Sequence, residues 1–123
     1  FKFHLIENIP YNKVMDAYQS IDVLIDQIYA GWYGGLAVEL MALGKPVLSY
    51  IREDDLKFIP PEMAESLPII NTCPENLKQN LISLIEMPYD ELVELGIKSR
   101  QYVEKWHCPP KVVGRLIEDL NLC

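Results

Sequence analysis

Glu39 is the side chain whose surroundings most suggest chemistry. It is the only formally charged residue between Asp26 and Lys45, in a segment otherwise rich in Leu, Ala, Val and Met. Moving a carboxylate out of water costs roughly several kcal/mol unless a partner compensates. Its neighbours on one helical face are leucines. The pattern therefore predicts that Val38 and Ala42 lie on the most exposed stripe of the helix. We therefore expect Glu39 at the rim of a cleft or bonded to a specific partner; the alternative is a solvated carboxylate without a role.

Glycines precede this segment and suit an anion. Gly34 and Gly35 come immediately before the expected helix, and Gly31 lies in the same loop. Backbone N–H groups at the start of a helix lie at its positive end, where phosphate binds readily. We therefore expect an anion site suited to phosphate at Gly34 and Gly35, although such glycines also serve ordinary tight turns.

A strand, a loop and a helix must position these residues. Residues 23–25 form an apolar run, residues 28–35 a loop of glycines and aromatics, and residues 36–43 a helical pattern closed by Gly44. A second apolar run follows at residues 47–50. Strand, helix and strand in this order predict a βαβ unit, which makes a parallel sheet.

The same stretch resembles the nucleotide-sugar-binding signature of GT-B glycosyltransferases, particularly the large retaining family 4. That family has the run Glu-Ala-Met-Ala-x-Gly-x-Pro-Val, and residues 39–47 here are Glu-Leu-Met-Ala-Leu-Gly-Lys-Pro-Val. Asp22 stands at the family's spacing before this run, and Gly31 holds the place of the family's first glutamate. Residues 32–35, Trp-Tyr-Gly-Gly, stand where the family has Gly-Phe-Gly and an apolar residue. The resemblance covers nearly the whole chain and implies the later part of the second Rossmann-like domain, with an acceptor-binding domain upstream.

The resemblance implies roles for single residues. Gly34, Gly35 and the amide of Leu36 would hold the diphosphate of the donor, and Glu39 would accept hydrogen bonds from its ribose hydroxyls. The family's first glutamate is associated with the transferred sugar and the reaction centre, and it is Gly31 here, so we assign no catalytic residue. Asn8 and Ile9 belong to the loop that backs the nucleotide base in the family; the alternative for them is a plain turn.

Three more side chains are candidates for donor contacts. Trp32 and Tyr33 would wall the sugar or close the cleft, with packing of the loop as the alternative. Arg52 comes just past the end of the second strand, where ligands collect in open α/β sheets. It would meet a phosphate unless Glu53 or Asp54 neutralises it.

Composition limits the classes of function. The chain has 123 residues and a formal net charge of -7, which fits one domain and argues against general nucleic-acid binding and strong binding to anionic membranes. Its three cysteines show no metal-ligand spacing, so we expect reduced thiols in a cytoplasmic protein. His4 and His107 lack paired ligand spacing and are interpreted as ordinary surface or strand-edge histidines.

Periodicity and turn residues predict the remaining elements. They are a strand over residues 1–6, a helix over 11–20 capped by Asn12, a short strand over 69–71, a helix from 72 or 73 to 87, a helix over 89–106 capped by Asp90, and a last helix over 111–122. The start within a strand-like run indicates a fragment of a longer protein.

These patterns together predict an α/β fold. We expect a Rossmann-like open parallel sheet of about four strands with helices on both faces, as a single domain over residues 1–123 of a GT-B enzyme. The expected function is transfer of a glycosyl group from a nucleoside diphosphate sugar to a sugar or lipid-linked acceptor in surface polysaccharide synthesis, with no metal or cofactor required. The fragment alone would bind the donor weakly and catalyse nothing, and any membrane attachment would belong to the upstream part.

Other classes of function stay open. A GT-B sugar-nucleotide epimerase shares the fold and the donor site, and a GT-B-like chain without the first glutamate is a non-catalytic binding module. Asp22, Asp26 and the pair Lys45-Pro46 also resemble the phosphoacceptor cluster of a receiver domain. In a receiver, however, the Lys-Pro pair follows a strand, whereas here it precedes the expected strand 47–50.

Overall fold

A three-stranded parallel sheet and several helices make up the computed structural model, which describes residues 2–121. In chain order the elements are α1 (Tyr11–Gln19), β1 (Leu24–Ile25), α2 (Gly35–Ala42), β2 (Val47–Ser49), a 3₁₀ helix (Glu53–Phe58), α3 (Pro61–Glu65), β3 (Ile70–Asn71), α4 (Leu77–Glu86), α5 (Tyr89–Trp106) and α6 (Pro109–Asp119). Among the helices of these described residues, none has the length and apolar character needed to cross a membrane.

The sheet has the order β1-β2-β3, with both pairs parallel. Leu24 pairs with Val47, and Leu48 pairs with Ile70. All three residues of the central strand β2 are fully buried, and successive side chains of a strand point to opposite faces, so both faces of β2 are covered. The expected mixed α/β class with a parallel sheet is confirmed; over residues 2–121 the sheet has three strands rather than about four.

The unit β1–α2–β2 forms as expected, with boundaries that differ from the prediction by about one residue. Gly44 ends α2 with a φ of 73°, a left-handed conformation that favours glycine. Its N–H donates to the carbonyl of Met41, and the N–H of Lys45 donates to that of Leu40, both at 2.9 Å. This Schellman motif reverses the chain so that Pro46 leads directly into β2.

Helix α5 packs against α2 and closes the core. The backbones touch where Gly96 of α5 faces Gly44, since a Cβ placed on Gly96 would lie 2.2 Å from the Gly44 carbonyl oxygen. The buried core joins side chains of the loop before α2, of α2, of the β2 region and of α5: Tyr33, Ala37, Leu40, Met41, Val47, Ile51, Tyr102, Val103 and Trp106. Helix α5 therefore fixes the position of α2 on the sheet.

The strand predicted over residues 1–6 is wrong where the structure describes it. Residues 2–6 pair with no strand of residues 2–121, and Phe3 and Leu5 are 67% and 71% exposed. Alternating apolar residues form a strand only when a neighbouring strand supplies hydrogen bonds, and none of the described strands lies beside this segment. Phe1, the first residue of the predicted strand, lies outside the described residues.

The predicted helix caps are also wrong. Pro10 and Pro88 hold the N-cap positions of α1 and α5, so Asn12 and Asp90 lie inside the first turns of these helices. Helix α4 begins only after a turn over residues 74–76, later than predicted. Helix α6 begins two residues earlier than predicted because prolines fit the first helical positions, whose N–H groups have no partner within the helix.

Candidate functional site

The loop after β1 is fixed to the segment after β2 at the carboxyl edge of the sheet. The N–H of Tyr50 and the hydroxyl of Ser49 donate to the carbonyl of Gln27, at 2.9 and 3.0 Å. The N–H of Arg52 donates to the carbonyl of Gly31 at 2.9 Å. The two segments therefore form one surface at the edge where parallel sheets bind ligands.

The amino end of α2 already holds an anionic group of the chain itself. The Gly34 N–H donates to Oδ2 of Asp26, which follows β1, at 2.8 Å. The carboxylate lies at the positive end of the helix and satisfies one of its first N–H groups. Of the three residues expected to hold a diphosphate, Gly34 thus has a carboxylate partner, while Gly35 and Leu36 are exposed at the start of the helix.

Arg52 lies directly against the glycine-rich loop. A Cβ placed on Gly31 would be 3.2 Å from Nη2 of Arg52, and Nη1 of Arg52 pairs with Oδ2 of Asp55 at 3.1 Å. The alternative in which Glu53 or Asp54 neutralises Arg52 is wrong, because the 3₁₀ turn aligns residues three apart and brings Asp55 to the guanidinium. An ion pair as exposed as this one contributes little, roughly 0–1 kcal/mol, so the guanidinium is readily available to another anion.

Gly31 has a backbone conformation that favours glycine at this position. Its φ is 88°, which L side chains adopt only with strain. A side chain there would also displace the Arg52 guanidinium. Gly31 therefore keeps the loop backbone close to the Arg52 guanidinium.

Tyr33 and Trp32 are neighbours in the loop but differ in burial. Tyr33 is buried, and its hydroxyl lies 2.8 Å from Nε2 of His107 and 3.1 Å from the hydroxyl of Tyr102. Burial, followed by the hydrogen bond with Tyr102, raises the pKa of Tyr33. Trp32 stacks on Tyr33 with ring centres 5.0 Å apart and stays partly exposed. Tyr33 therefore packs the loop onto α5, and Trp32 is the one of these two side chains that reaches the surface.

His107 was missed as a contact of this loop. It was interpreted as a surface or strand-edge histidine, but it is half-buried at the carboxyl end of α5 and bonded to Tyr33. Burial, followed by the nearby Arg115 guanidinium, lowers the pKa of His107. A signal was present in the sequence, since His107 directly follows a helix whose buried face carries Tyr102 and Trp106.

Glu39 lies on the exposed side of α2, beside α1. The buried face of the helix is that of Ala37, Leu40 and Met41, and Glu39 is exposed; its place at the rim of a cleft stays a prediction. Its carboxylate lies near the Tyr18 hydroxyl of α1: burial first, and the Glu39 charge second, raise the pKa of Tyr18. Glu39 is accordingly accessible to a hydroxyl-bearing ligand.

The prediction that Val38 and Ala42 occupy the most exposed stripe of α2 is wrong. Val38 and Ala42 are half-buried and pack against the core. Asn8 and Ile9 are exposed ahead of α1, where Asn8 forms a bend with a φ of 54°. These two residues are not brought into the hydrogen-bonded loop cluster formed around Gly31 and Arg52 in the described structure.

Clusters that would indicate other chemistry are not assembled. Within residues 2–121, no three His, Cys, Asp or Glu side chains gather as a metal-ligand set. Asp22 and Lys45 line one open cavity at the amino edge of the sheet, whereas Asp26 lies at the carboxyl edge, so the receiver-like cluster is divided between the two ends of β1. Cys73 and Cys108 are free thiols, and Cys123 lies outside the described residues.

Comparisons of the chain with protein-family models, with curated proteins and with solved structures found no match.

Proposed function

We propose that the chain is the donor-binding part of a glycosyltransferase and binds a nucleoside diphosphate sugar at the carboxyl edge of a Rossmann-like sheet. The observation that carries this proposal is the meeting of two anion-binding features on one loop surface. The amino end of α2 presents the exposed residues Gly35 and Leu36, and the Arg52 guanidinium lies on the same loop at Gly31. The run over residues 39–47 that resembles family 4 follows directly within α2 and β2.

The diphosphate would bind the N–H groups of Gly35 and Leu36 and the guanidinium of Arg52. Arg52 would exchange its exposed pair with Asp55 for a phosphate group, to two oxygens of which a planar guanidinium makes parallel hydrogen bonds. Asp26 would keep the Gly34 N–H, so Gly34 is left out of the diphosphate contacts that we expected from the sequence.

The ribose and the sugar would lie on either side of the diphosphate. Glu39 would accept hydrogen bonds from the ribose hydroxyls, and a hydrogen bond to a charged group is worth roughly 1.5–3 kcal/mol. Trp32, which is partly exposed on the loop, would face the sugar. Tyr33 has no direct donor contact in this scheme because its side chain is buried.

In the reaction, the bond between the anomeric carbon and the diphosphate oxygen breaks, and an acceptor hydroxyl takes the glycosyl group. The nucleoside diphosphate leaves with the bonding electron pair, and the chain's contribution is to stabilise that developing charge with amides and Arg52. The acceptor site and the group that removes the hydroxyl proton would belong to an upstream domain, in a cytoplasmic enzyme of surface polysaccharide synthesis. No metal ion has a role in this scheme.

Ligand-observed NMR with UDP, GDP, ADP and their sugar conjugates tests donor binding. One base should give a selective signal that weakens in both Glu39→Ala and Arg52→Ala. Glu86→Ala, which removes an exposed carboxylate at the end of α4, is the matched control and should leave the signal unchanged. Silence from every nucleotide, with this chain and with a longer protein that contains it, would refute donor binding.

A further inference from the structure

Three side chains link the glycine-rich loop to the end of α5. The Tyr33 hydroxyl lies 3.1 Å from the Tyr102 hydroxyl and 2.8 Å from Nε2 of His107. The ring of Tyr33 meets both other rings at steep angles, 75° to Tyr102 and 83° to His107. Tyr33 and Tyr102 are 7% and 3% exposed, so water has little access to their hydroxyls.

The number of protons in the hydrogen-bond network determines the protonation state of His107. Two hydrogen bonds join the three groups, and each bond uses one proton. If Nε2 of His107 carries no proton, Tyr102 donates to Tyr33 and Tyr33 donates to His107, so both phenol protons have acceptors. If Nε2 carries a proton, the network has three donors but only two hydrogen bonds. One buried phenol proton then has no acceptor within the network. A buried donor without a partner is strongly unfavourable, so the network selects the neutral imidazole protonated at Nδ1.

The charges around His107 act in the same direction. Arg115 of α6 donates to the carbonyls of Lys105 and Trp106 at the carboxyl end of α5. This guanidinium occupies the place where a helix end would otherwise stabilise a protonated imidazole. The groups that face His107 are thus Tyr33 from the loop, Tyr102 from its own helix and the cationic Arg115 from α6. None of them supplies a negative charge for an imidazolium.

We propose that His107 is a positioning residue for the glycine-rich loop. The neutral imidazole holds Tyr33 in place, Tyr33 holds the amino end of α2, and protonation of His107 releases this end. The covalent path is short, because Tyr33 directly precedes Gly34, whose N–H binds Asp26, and directly follows Trp32, which stacks on it. The consequence for donor affinity rests on the proposed function; the coupling between His107 and the loop does not.

NMR titration without nucleotide tests the coupling between about pH 5 and pH 8, the range in which histidine titrates. The chain has two histidines, so exposed His4 is an internal reference. The amide signals of Gly34 and Gly35 should shift with the midpoint of the His107 ring signal and not with that of His4. Tyr33→Phe keeps the ring but removes the hydroxyl, and should abolish this shared midpoint; His4→Gln should preserve it. If Tyr33→Phe does not fold, His107→Gln gives the same test, because the loop amides should then lose their pH dependence. The proposal is overturned if the amides ignore His107 in the unmodified chain, or still follow it in Tyr33→Phe.

Donor affinity gives a separate measurement. A nucleoside diphosphate sugar is the correct probe, because free nucleoside diphosphates carry a terminal phosphate that itself titrates in this range. Binding should weaken by roughly fivefold or more when His107 is protonated, and should lose this pH dependence in Tyr33→Phe. An affinity that stays constant across the His107 midpoint would refute the positioning role while donor binding stands. Failure of all sugar nucleotides to bind, with this chain and with a longer protein that contains it, would refute the proposed function. The coupling of His107 to the loop would then still be decided by the titration without nucleotide.

Discussion

The contact between Gly44 and Gly96 gives the sharpest test of how α2 is held. An added Cβ on Gly96 would lie 2.2 Å from the Gly44 carbonyl oxygen and 3.2 Å from its carbonyl carbon. Carbon and oxygen atoms that approach closely in proteins lie at about 3.3 Å, so Gly96→Ala requires α5 and the end of α2 to separate by roughly 1 Å. Both contacting groups are backbone, so no side-chain rotation relieves the overlap.

The expected loss of stability combines two opposing effects. Overpacking a core costs roughly 1–3 kcal/mol, and a gap of this size also weakens the dispersion contacts of neighbouring side chains. Alanine in place of glycine inside a helix contributes about 1 kcal/mol in the other direction. The overpacking cost less the gain in helix propensity leaves about 0–2 kcal/mol, and the weakened dispersion contacts add to that cost. We therefore expect Gly96→Ala to lower the free energy of unfolding by about 1–2 kcal/mol, and by more if the core along Tyr102 and Trp106 loosens with the crossing.

Gly114→Ala is the matched control. It makes the same chemical change inside helix α6, where an added Cβ would meet nothing within 4 Å. It should raise the free energy of unfolding by roughly 0.5–1 kcal/mol through helix propensity alone. Urea unfolding of both variants measures the difference, with an unchanged m-value as the sign that only stability has altered. Equal effects of the two substitutions, or a Gly96→Ala variant as stable as the unmodified chain, would refute the close crossing of α5 and α2.

Three further predictions concern the loop and its helix. Asp26→Asn keeps an oxygen acceptor for the Gly34 N–H but removes the charge at the amino end of α2, so nucleoside diphosphate affinity by calorimetry should rise roughly two- to fivefold; a fall would show that Asp26 belongs to the ligand contacts. Gly44→Ala places a Cβ at a φ of 73° and should lower the free energy of unfolding by roughly 1–2 kcal/mol in urea, with Gly44→Asn costing less, and equal costs would argue against the left-handed turn. In the unfolded chain His107 has its ordinary pKa of 6.5 and in the folded chain a lower one, so the unfolded state binds more protons between the two values. Stability should therefore fall as the pH drops below about 6.5, and His107→Gln should flatten that slope in urea titrations at several pH values, whereas an identical slope in the variant would exclude His107 as its source.

Local sequence signals predicted the parts of the fold whose causes are local. Helix α5 was predicted over residues 89–106 and is observed at Tyr89–Trp106, because a proline precedes it and its apolar spacing is regular throughout. The turn at Gly44 followed from its position after the last helical residue. The β1–α2–β2 unit followed from two apolar runs on either side of a helical pattern.

Contacts between distant residues explain what the sequence did not predict. Tyr33 meets Tyr102 and His107 across 69 and 74 positions, and no spacing rule joins residues so far apart. The exposed side of α2 depends on where α5 packs, which the wheel of an almost wholly apolar helix does not indicate, and so Val38 and Ala42 were expected on the wrong side of the helix. The strand over residues 1–6 had the right alternation but no partner among the described strands.

The contact between Asp26 and the amino end of α2 affects how a diphosphate can bind to this chain. The chain carries a net charge of -7, and the first available amide of α2 already binds a carboxylate, so long-range electrostatics oppose an incoming diphosphate. Under the proposed function, affinity must come from short-range contacts, namely the exposed amino end of α2 and a guanidinium that is held by only one exposed pair. Such contacts strengthen when water is excluded. A second domain closing over the carboxyl edge would therefore raise donor affinity without adding a single contact to the nucleotide, and this accounts physically for the weak donor binding expected of the chain by itself.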